Sequence, residues 1–234
     1  MQHLNDQVNL ALFTISQIGN FSKVINVTSN LKLNIIDIYR KRRIILAIKI
    51  FIDQGHNPKG AVNAGAEGSG LYEGEITYNV GSYLAQMLNA DSRFEARTSR
   101  TTPEEVLGTS NTTSLATRVR MANEWPADYF ISIHCNFNEN PAINGTEVYV
   151  YELYSQAYYL GQQILNNIVN YVGTRDNGIR VNKSLYVLRR TNMPSLLVEL
   201  GYLSNAADAQ KLRDNQYDFA YGIYQGILQY FGFK

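Results

Sequence analysis

Only three histidines occur in this chain of 234 residues, and two of them follow short apolar segments. His56 comes just after one such segment, and His134 ends another. Glu199 lies near the end of a third segment, where an unpartnered carboxylate would be costly to bury. Imidazole and carboxylate together suit a first-row metal such as zinc, whose catalytic sites keep one position open for water. These residues are therefore the candidates for metal chemistry.

A third protein ligand is needed, and the glutamates that follow His56 are candidates: Glu67, Glu73 and Glu75. Glu67 lies in the loop segment Gly65-Ala66-Glu67-Gly68. Glu73 and Glu75 open a predicted helix, roughly 200° apart around its axis, so only one of them can face the site. Acidic residues also favour helix N-termini because of the helix dipole, which is the structural explanation for either. The residues alone leave this choice open.

The segments that would position these side chains alternate between two patterns. Short β-branched or aromatic segments predict about six strands, at residues 44–53, 94–100, 129–134, 146–151, 184–188 and 195–200. Apolar side chains spaced three or four residues apart predict helices around residues 76–88, 164–172 and 220–231. This alternation is typical of an α/β fold with a largely parallel sheet, and the chain length fits one domain.

The carboxyl ends of parallel strands meet at one edge of the sheet, where open α/β sheets bind ligands. His56, His134 and Glu199 are all expected at that edge. A single histidine at a strand end is more often structural, and a single buried glutamate is as often a hydrogen-bonded core acid as a catalyst. The convergence of all three residues favours a functional site.

Composition excludes several classes of protein. The chain has 21 basic and 20 acidic residues, a formal charge of +1, which gives no overall drive toward nucleic acid. One cysteine, Cys135, excludes an internal disulfide and any cysteine-based zinc cage. The best apolar run, residues 44–52, is about half of the roughly 20 residues that a membrane span needs. We therefore predict no nucleic-acid partner and no membrane span.

Residues 1–43 differ from the rest of the chain, because their apolar positions are scattered and they end in a basic cluster at residues 40–43. We interpret them as an N-terminal extension and residues 44–234 as the catalytic domain. No signal peptide is recognisable, because polar residues interrupt the start and no apolar stretch ends in a small-residue cleavage site. The four basic residues are typical of a solvated boundary.

Four short motifs together resemble a known family. Residues 52–58 read IDQGHNP, residues 70–77 read GLYEGEIT, residues 132–134 read SIH and residues 198–205 read VELGYLSN. In order, spacing and flanking strands they resemble the zinc-dependent N-acetylmuramoyl-L-alanine amidases of the amidase-3 type, over residues 44–234. The resemblance implies a single-domain hydrolase of peptidoglycan, with a twisted, mostly parallel six-stranded sheet between helices.

The resemblance also implies a role for each site residue. His56, Glu73 and His134 match the family's ligands for one zinc ion, and Glu75 takes the position of a family aspartate. Glu199 matches the catalytic acid and base. A water molecule activated by the metal would attack the amide between the lactyl group of N-acetylmuramic acid and L-alanine, with Glu199 moving the proton. The substrate places this action at the cell wall, outside the cytoplasmic membrane.

Two other functions remain open. A zinc peptidase acting within the stem peptide would use the same metal chemistry, and a cell-wall-binding module could keep the fold without activity. Retention of the three ligands and of Glu199 speaks against the binding module. We further expect Asp53 to accept a hydrogen bond from a ligand imidazole. We expect Asn136 and the loops at residues 57–72 and 101–113 to line a substrate groove. The oligomeric state is not predicted.

Overall fold

The computed structural model describes residues 47–233 of the chain. Its strands are β1 (Ile48–Gln54), β2 (Glu67–Gly68), β3 (Leu71–Tyr72), β4 (Phe94–Thr98), β5 (Tyr129–Asn136), β6 (Thr146–Val150), β7 (Asp176–Val181) and β8 (Ser195–Tyr202). Its helices are α1 (Glu73–Ala90), α2 (Asn111–Glu124), α3 (Gln156–Val172), α4 (Tyr186–Arg190), α5 (Ala206–Asp214) and α6 (Gln216–Tyr230).

Six of the strands form one sheet in the order β4-β1-β5-β8-β6-β7, while β2 and β3 form a separate two-stranded hairpin. Neighbours in the large sheet are parallel, except that β6 runs antiparallel to β8. The predicted α/β fold with a mostly parallel six-stranded sheet is confirmed. Strands β1, β5 and β8 end side by side, so the residues at their carboxyl ends share one edge.

One face of the sheet, here called the apolar face, packs against α1, α3 and α6. It carries the larger hydrophobic core, in which Ile52, Ile133 and Val198 are fully buried side chains from the three central strands. Each of these strands alternates its side chains, so the neighbouring residues point to the opposite face. The apolar periodicity of α1, α3 and α6 is explained by this contact.

The other face, here called the site face, is covered by α2 and α4 and has a smaller apolar cluster around Phe51, Phe130 and Leu197. Toward the carboxyl edge the same face becomes polar. Its side chains there are Asp53 on β1, Ser132 and His134 on β5, Glu199 on β8 and Glu147 on β6. The site therefore forms where the apolar cover of this face stops.

The predicted strand at residues 184–188 is wrong. Tyr186–Arg190 forms helix α4, in which Val187 and Leu188 are buried against the cluster on the site face. A short apolar run fits a strand or a helix equally well, and packing decides between them. The sixth strand is β7 (Asp176–Val181), an edge strand with Gly178 at φ +80° and little apolar alternation.

Two loop predictions need adjustment. The loop expected at residues 101–113 is shorter, because Ser110 caps α2 in a reciprocal box with Thr113. The loop expected at residues 57–72 contains the β2–β3 hairpin.

The proposed extension at residues 1–43, with its basic cluster, lies outside the described residues. Within residues 47–233 no helix combines the length and the apolar character that a membrane crossing requires.

Candidate metal centre

Three predicted ligand residues come together at the carboxyl edge of the sheet. His56 lies in the loop after β1, Glu73 is the first residue of α1, and His134 lies on β5. One ligand atom from each lies within 4.8 Å of the others. His56 Nε2 is 3.2 Å and His134 Nδ1 is 3.0 Å from the same oxygen, Glu73 Oε1. The two rings are nearly perpendicular, with centroids 4.7 Å apart.

The Glu73 carboxylate is fixed from two sides. Its Oε2 accepts a hydrogen bond from the Ala66 backbone N–H, and its Oε1 accepts one from the Cys135 backbone N–H. Burial favours the neutral acid, but the hydrogen bonds and charges of His134 and His56 outweigh burial and lower the pKa of Glu73. The carboxylate is therefore ionised, and the two backbone N–H groups orient it.

The alternatives to Glu73 point elsewhere. Glu73 is buried, whereas Glu67 on β2 and Glu75 on α1 are exposed. Glu75 lines a separate groove of about 590 Å³ between residues 58–61 and residues 103–106. Of the three glutamates that the sequence left open, Glu73 is the one that the structure brings to the histidines.

His56 has an unusual backbone conformation for a side-chain-bearing residue, with φ +68°. Its Nδ1 lies 3.2 Å from the Asn63 carbonyl oxygen. When Nδ1–H donates to that oxygen, Nε2 presents its lone pair to the site. Burial lowers the pKa of His56, but the hydrogen bond and charge of Glu73 outweigh burial and raise it overall.

Asp53 does not serve as the acceptor that we expected for a ligand imidazole. Its Oδ1 accepts from Arg118 Nη1 at 2.7 Å, and its Oδ2 accepts from Ser132 Oγ at 2.8 Å. The acceptor for His56 is instead the Asn63 carbonyl described above. Asp53 is therefore the counter-ion of a buried arginine.

Arg118 supports the His56 loop from beneath and was not predicted. This guanidinium on α2 is 1% exposed and donates a hydrogen bond to the His56 carbonyl oxygen. Its other hydrogen bonds go to Asp53, Gln54, Ser99 and Asn57. The residue could have been found from its spacing, because Ser114, Arg118 and Ala122 recur every four residues on the buried stripe of α2. A charged residue on such a stripe needs a buried partner.

Two glycines leave the space that the ligand side chains occupy. A Cβ on Gly55 would lie 2.5 Å from His134 Nε2. A Cβ on Gly65, which has φ +83°, would lie 2.7 Å from Glu73 Oε2 and equally close to His56 Cγ. Any larger residue at either position would displace the cluster.

Glu199 lies beside this cluster on the neighbouring strand, because it is the register partner of His134 across β5 and β8. Its Oε2 atom is buried and accepts no hydrogen bond from the described residues. Burial raises the pKa of the Glu199 carboxyl well above its ordinary value, and the charges of Glu73 and Glu147 raise it further. A cation at the cluster would act in the opposite direction.

The cluster fits a metal by the chemistry of its donors. Two imidazoles and one carboxylate leave a position open, as catalytic zinc sites do, and the second nitrogen of His56 has its own acceptor. The buried, unpartnered Glu199 Oε2 adjoins this group. The arrangement can hold a cation and move a proton next to it.

The loops expected to line a groove are fastened to each other. Asn57 Nδ2 donates to the Leu107 carbonyl oxygen, and the Leu107 backbone N–H donates to Asn57 Oδ1. Asn136, which we expected in the groove, donates to the Glu147 carboxylate. Its side chain therefore helps hold a second buried acid close to Glu199.

Known proteins resemble this chain over most of its length. The family model for N-acetylmuramoyl-L-alanine amidase, of the amidase-3 type, matches residues 50–229. The N-acetylmuramoyl-L-alanine amidase LytC of Bacillus subtilis (strain 168) is 36% identical over 188 residues, covering 78% of this chain and 35% of LytC. The N-acetylmuramoyl-L-alanine amidase CwlM of Bacillus licheniformis is 35% identical over 188 residues, covering 79% of this chain and 69% of CwlM.

Structural comparison gives the same result for the fold. The crystal structure of an N-acetylmuramoyl-L-alanine amidase from Clostridium difficile 630 matches with a TM-score of 0.70 and 32% sequence identity. The match covers 80% of this chain and 97% of that one. The chain spans about a third of the length of LytC, so what it shares with LytC is one part of a longer protein.

Proposed function

The chain belongs to the amidase-3 family of N-acetylmuramoyl-L-alanine amidases, and from this premise we propose that it is a zinc-dependent peptidoglycan hydrolase. The bond cleaved is the amide between the lactyl group of N-acetylmuramic acid and L-alanine of the stem peptide. One observation carries the proposal: two imidazoles and an anchored carboxylate converge beside Glu199, whose Oε2 is buried and has no hydrogen-bond partner among residues 47–233. A metal and a proton carrier are what amide hydrolysis by water requires.

His56 Nε2, Glu73 Oε1 and His134 Nδ1 would hold one zinc ion. When bound there, zinc supplies Lewis-acid chemistry, polarising the amide carbonyl and making water a stronger nucleophile. Glu73 brings the negative charge, and the backbone N–H groups of Ala66 and Cys135 keep its carboxylate in place. The hydrogen bond from His56 to Asn63 holds that imidazole in the orientation that binding needs.

Glu199 is the proposed general base and acid. Its Oε2 takes a proton from the attacking water as the new carbon–oxygen bond forms. The same oxygen then gives the proton to the amine of L-alanine as the carbon–nitrogen bond breaks. The products are a carboxylate on the lactyl group and a free amine on the peptide. Burial favours the protonated carboxyl, and a cation at the neighbouring cluster would favour the ionised one, so the two opposing influences suit a group that first takes a proton and then gives it up.

The substrate sets the place of action. Peptidoglycan lies outside the cytoplasmic membrane, so the proposed enzyme works at the cell wall. We also propose that residues 44–234 form the catalytic domain and that residues 1–43 are an extension of it. The family model begins at residue 50, which agrees with a catalytic domain that excludes the extension.

The testing experiment is digestion of purified peptidoglycan, with and without a chelator, and identification of the products by mass spectrometry. We expect peptides with a new free L-alanine amine, lost with chelator and restored by zinc. Cleavage inside the stem peptide would instead assign the chain as a zinc peptidase. Absence of cleavage with any metal would leave a wall-binding module, and a pull-down on intact peptidoglycan would identify it.

A further inference from the structure

We infer that Arg180 binds a carboxylate of the stem peptide and so selects acidic substrates, an inference that rests on the proposed amidase function. Arg180 lies on edge strand β7, outside the four residues assigned above. Its guanidinium adjoins a buried acid, Glu147, that adjoins Glu199. The pair extends the site along the sheet edge toward β7.

Strand register sets the position of this pair. His134 on β5 is the partner of Glu199 on β8, and Glu199 is in turn the partner of Glu147 on β6. The register of β6 and β7 shifts between Thr146 and Val148, next to Glu147. Such irregularities often re-aim side chains next to active sites. The result is a continuous row of polar side chains that begins at the metal cluster and ends at Arg180.

Glu147 is held rigidly although it binds nothing in the proposed mechanism. The residue is 1% exposed. Its Oε1 accepts hydrogen bonds from Asn136 Nδ2 at 2.7 Å and from the Tyr149 hydroxyl at 3.0 Å, and the Tyr202 hydroxyl lies 3.3 Å away. Three donors on one oxygen fix the carboxylate, and its Oε2 faces Arg180.

Arg180 pairs with Glu147 through Nε, and the rest of its guanidinium remains accessible to a ligand. Nε lies 2.8 Å from Glu147 Oε2, but within residues 47–233 that oxygen accepts no aligned hydrogen bond. The arginine side chain remains 53% exposed. A guanidinium offers five N–H donors in a planar fork that matches a carboxylate. The buried acid therefore orients the fork and leaves N–H groups directed to solvent.

The chemistry of the substrate identifies the ligand. N-acetylated sugars are uncharged, so the carboxylates of peptidoglycan are on the peptide. The Arg180 guanidinium lies 2.8 Å from the Glu147 carboxylate, and Glu147 is two strand spacings, roughly 10 Å, from His134. An extended peptide covers this distance in about three residues. A carboxylate near the start of the stem peptide can reach Arg180 while the amide lies at the metal cluster.

The competing explanation is that Arg180 only neutralises Glu147. Substrate charge separates the two explanations. The experiment uses the full zinc-loaded chain and two muramoyl peptides, one with free carboxylates and one with every peptide carboxylate converted to the carboxamide. It compares the wild type, Arg180→Gln and the double variant Arg180→Gln/Glu147→Gln, and the midpoint of thermal unfolding of each variant is measured.

We expect Arg180→Gln to lower kcat/KM on the carboxylate peptide about 10- to 100-fold, mainly through KM, since it loses a charge-assisted contact. On the carboxamide peptide the change is less than about threefold. The double variant keeps this loss of preference, because the carboxylate still lacks its partner. Arg97→Gln is the matched control, an exposed arginine on the opposite edge strand β4. It should leave both substrates unaffected.

Equal losses on both peptides, rescued in the double variant, would overturn the inference and leave Arg180 as a counter-ion. No loss on either peptide would overturn it too. In both cases cleavage by the wild type keeps the proposed amidase function intact. If the wild type cleaves neither peptide, while intact peptidoglycan is also untouched, the proposed function fails and the inference fails with it.

Discussion

The two faces of the sheet are built from opposite kinds of side chain. On the apolar face, β1, β5 and β8 contribute mainly buried aliphatic residues to the larger core, together with Cys135 and the partly buried Tyr129 of β5. On the site face the same strands contribute a small cluster around Phe51, Phe130 and Leu197 and then, toward the carboxyl edge, polar and titratable side chains that are buried or half-buried. Adjacent residues of one strand thus serve different purposes. The apolar face stabilises the fold, whereas the site face lowers the stability because it holds charged groups away from water.

The ion pair of Arg118 and Asp53 illustrates this cost. Both side chains are 1% exposed, and burying two charges costs several kcal/mol per ion before their attraction is counted. The pair recovers this cost only through many hydrogen bonds, one of which fixes the His56 carbonyl oxygen. An apolar pair would stabilise the sheet at least as well, so the charged pair is explained by the site.

The largest expected effects are on turnover and come from the site face. Glu199→Gln should lower turnover about 10²- to 10⁴-fold while zinc remains bound, because only the proton carrier is lost. His134→Ala should lose both turnover and zinc. Zinc content after dialysis and the rate of peptide release distinguish the two variants. An active Glu199→Gln protein would show that the general base is a different residue.

The next largest effect is expected from removing Arg118, which holds the His56 loop. Arg118→Met should lower the free energy of unfolding by about 3–5 kcal/mol, because the buried Asp53 carboxylate loses its counter-ion and keeps only the Ser132 hydroxyl. Adding Asp53→Leu should restore much of that stability. Turnover should remain low in the double variant, because the His56 carbonyl oxygen still lacks its donor. Urea denaturation and kinetics on the same samples measure both; recovered turnover would mean that the pair serves stability alone.

Acid should remove the same ion pair. Burial raises the pKa of Asp53, but Arg118 outweighs burial and lowers it below its ordinary value. A lowered pKa in the folded state gives stability that is present above the unfolded value of about 3.9. That stability is lost as pH falls through the folded value. The Asp53→Asn variant resembles the protein with Asp53 protonated. The difference in unfolding free energy between wild type and variant should therefore shrink toward zero as the pH falls below ~4. A deficit independent of pH would contradict this assignment.

The sequence predicts the parts of the molecule that depend on local pattern. Strands β1, β5 and β8 are apolar runs, so both their existence and the edge shared by His56, His134 and Glu199 could be predicted. Strand β7 could not, because its exposed edge position removes the apolar alternation. Helical periodicity left Glu73 and Glu75 open and the family resemblance indicated Glu73; the physical reason, the backbone N–H groups of Ala66 and Cys135 that hold its carboxylate, is visible only in the structure.

The other residues that the sequence did not predict have roles that depend on contacts with residues far away in the chain. Arg118 acquires its role from Asp53, which is 65 positions away in the chain. Glu147 and Arg180 meet only because of a register shift between two strands. A local pattern can indicate that Arg118 is buried, but it does not identify the distant residue that each of these side chains contacts. The metal-binding and catalytic roles of the four site residues remain predictions that the variants above test.

The smallest expected effect gives the sharpest comparison of the two faces. Ile133 and His134 are neighbours on β5, and Ile133 is fully buried on the apolar face. Ile133→Val removes one methylene group and should cost about 0.5–1.5 kcal/mol of unfolding free energy. The backbone carbonyl of Ile133 that binds Gly55 is kept, so kcat/KM should stay within about twofold of the wild type. Chemical denaturation and peptide release would be measured in parallel. A large loss of turnover would mean that the two faces are coupled through β5, since packing on one face would then set the geometry of the other.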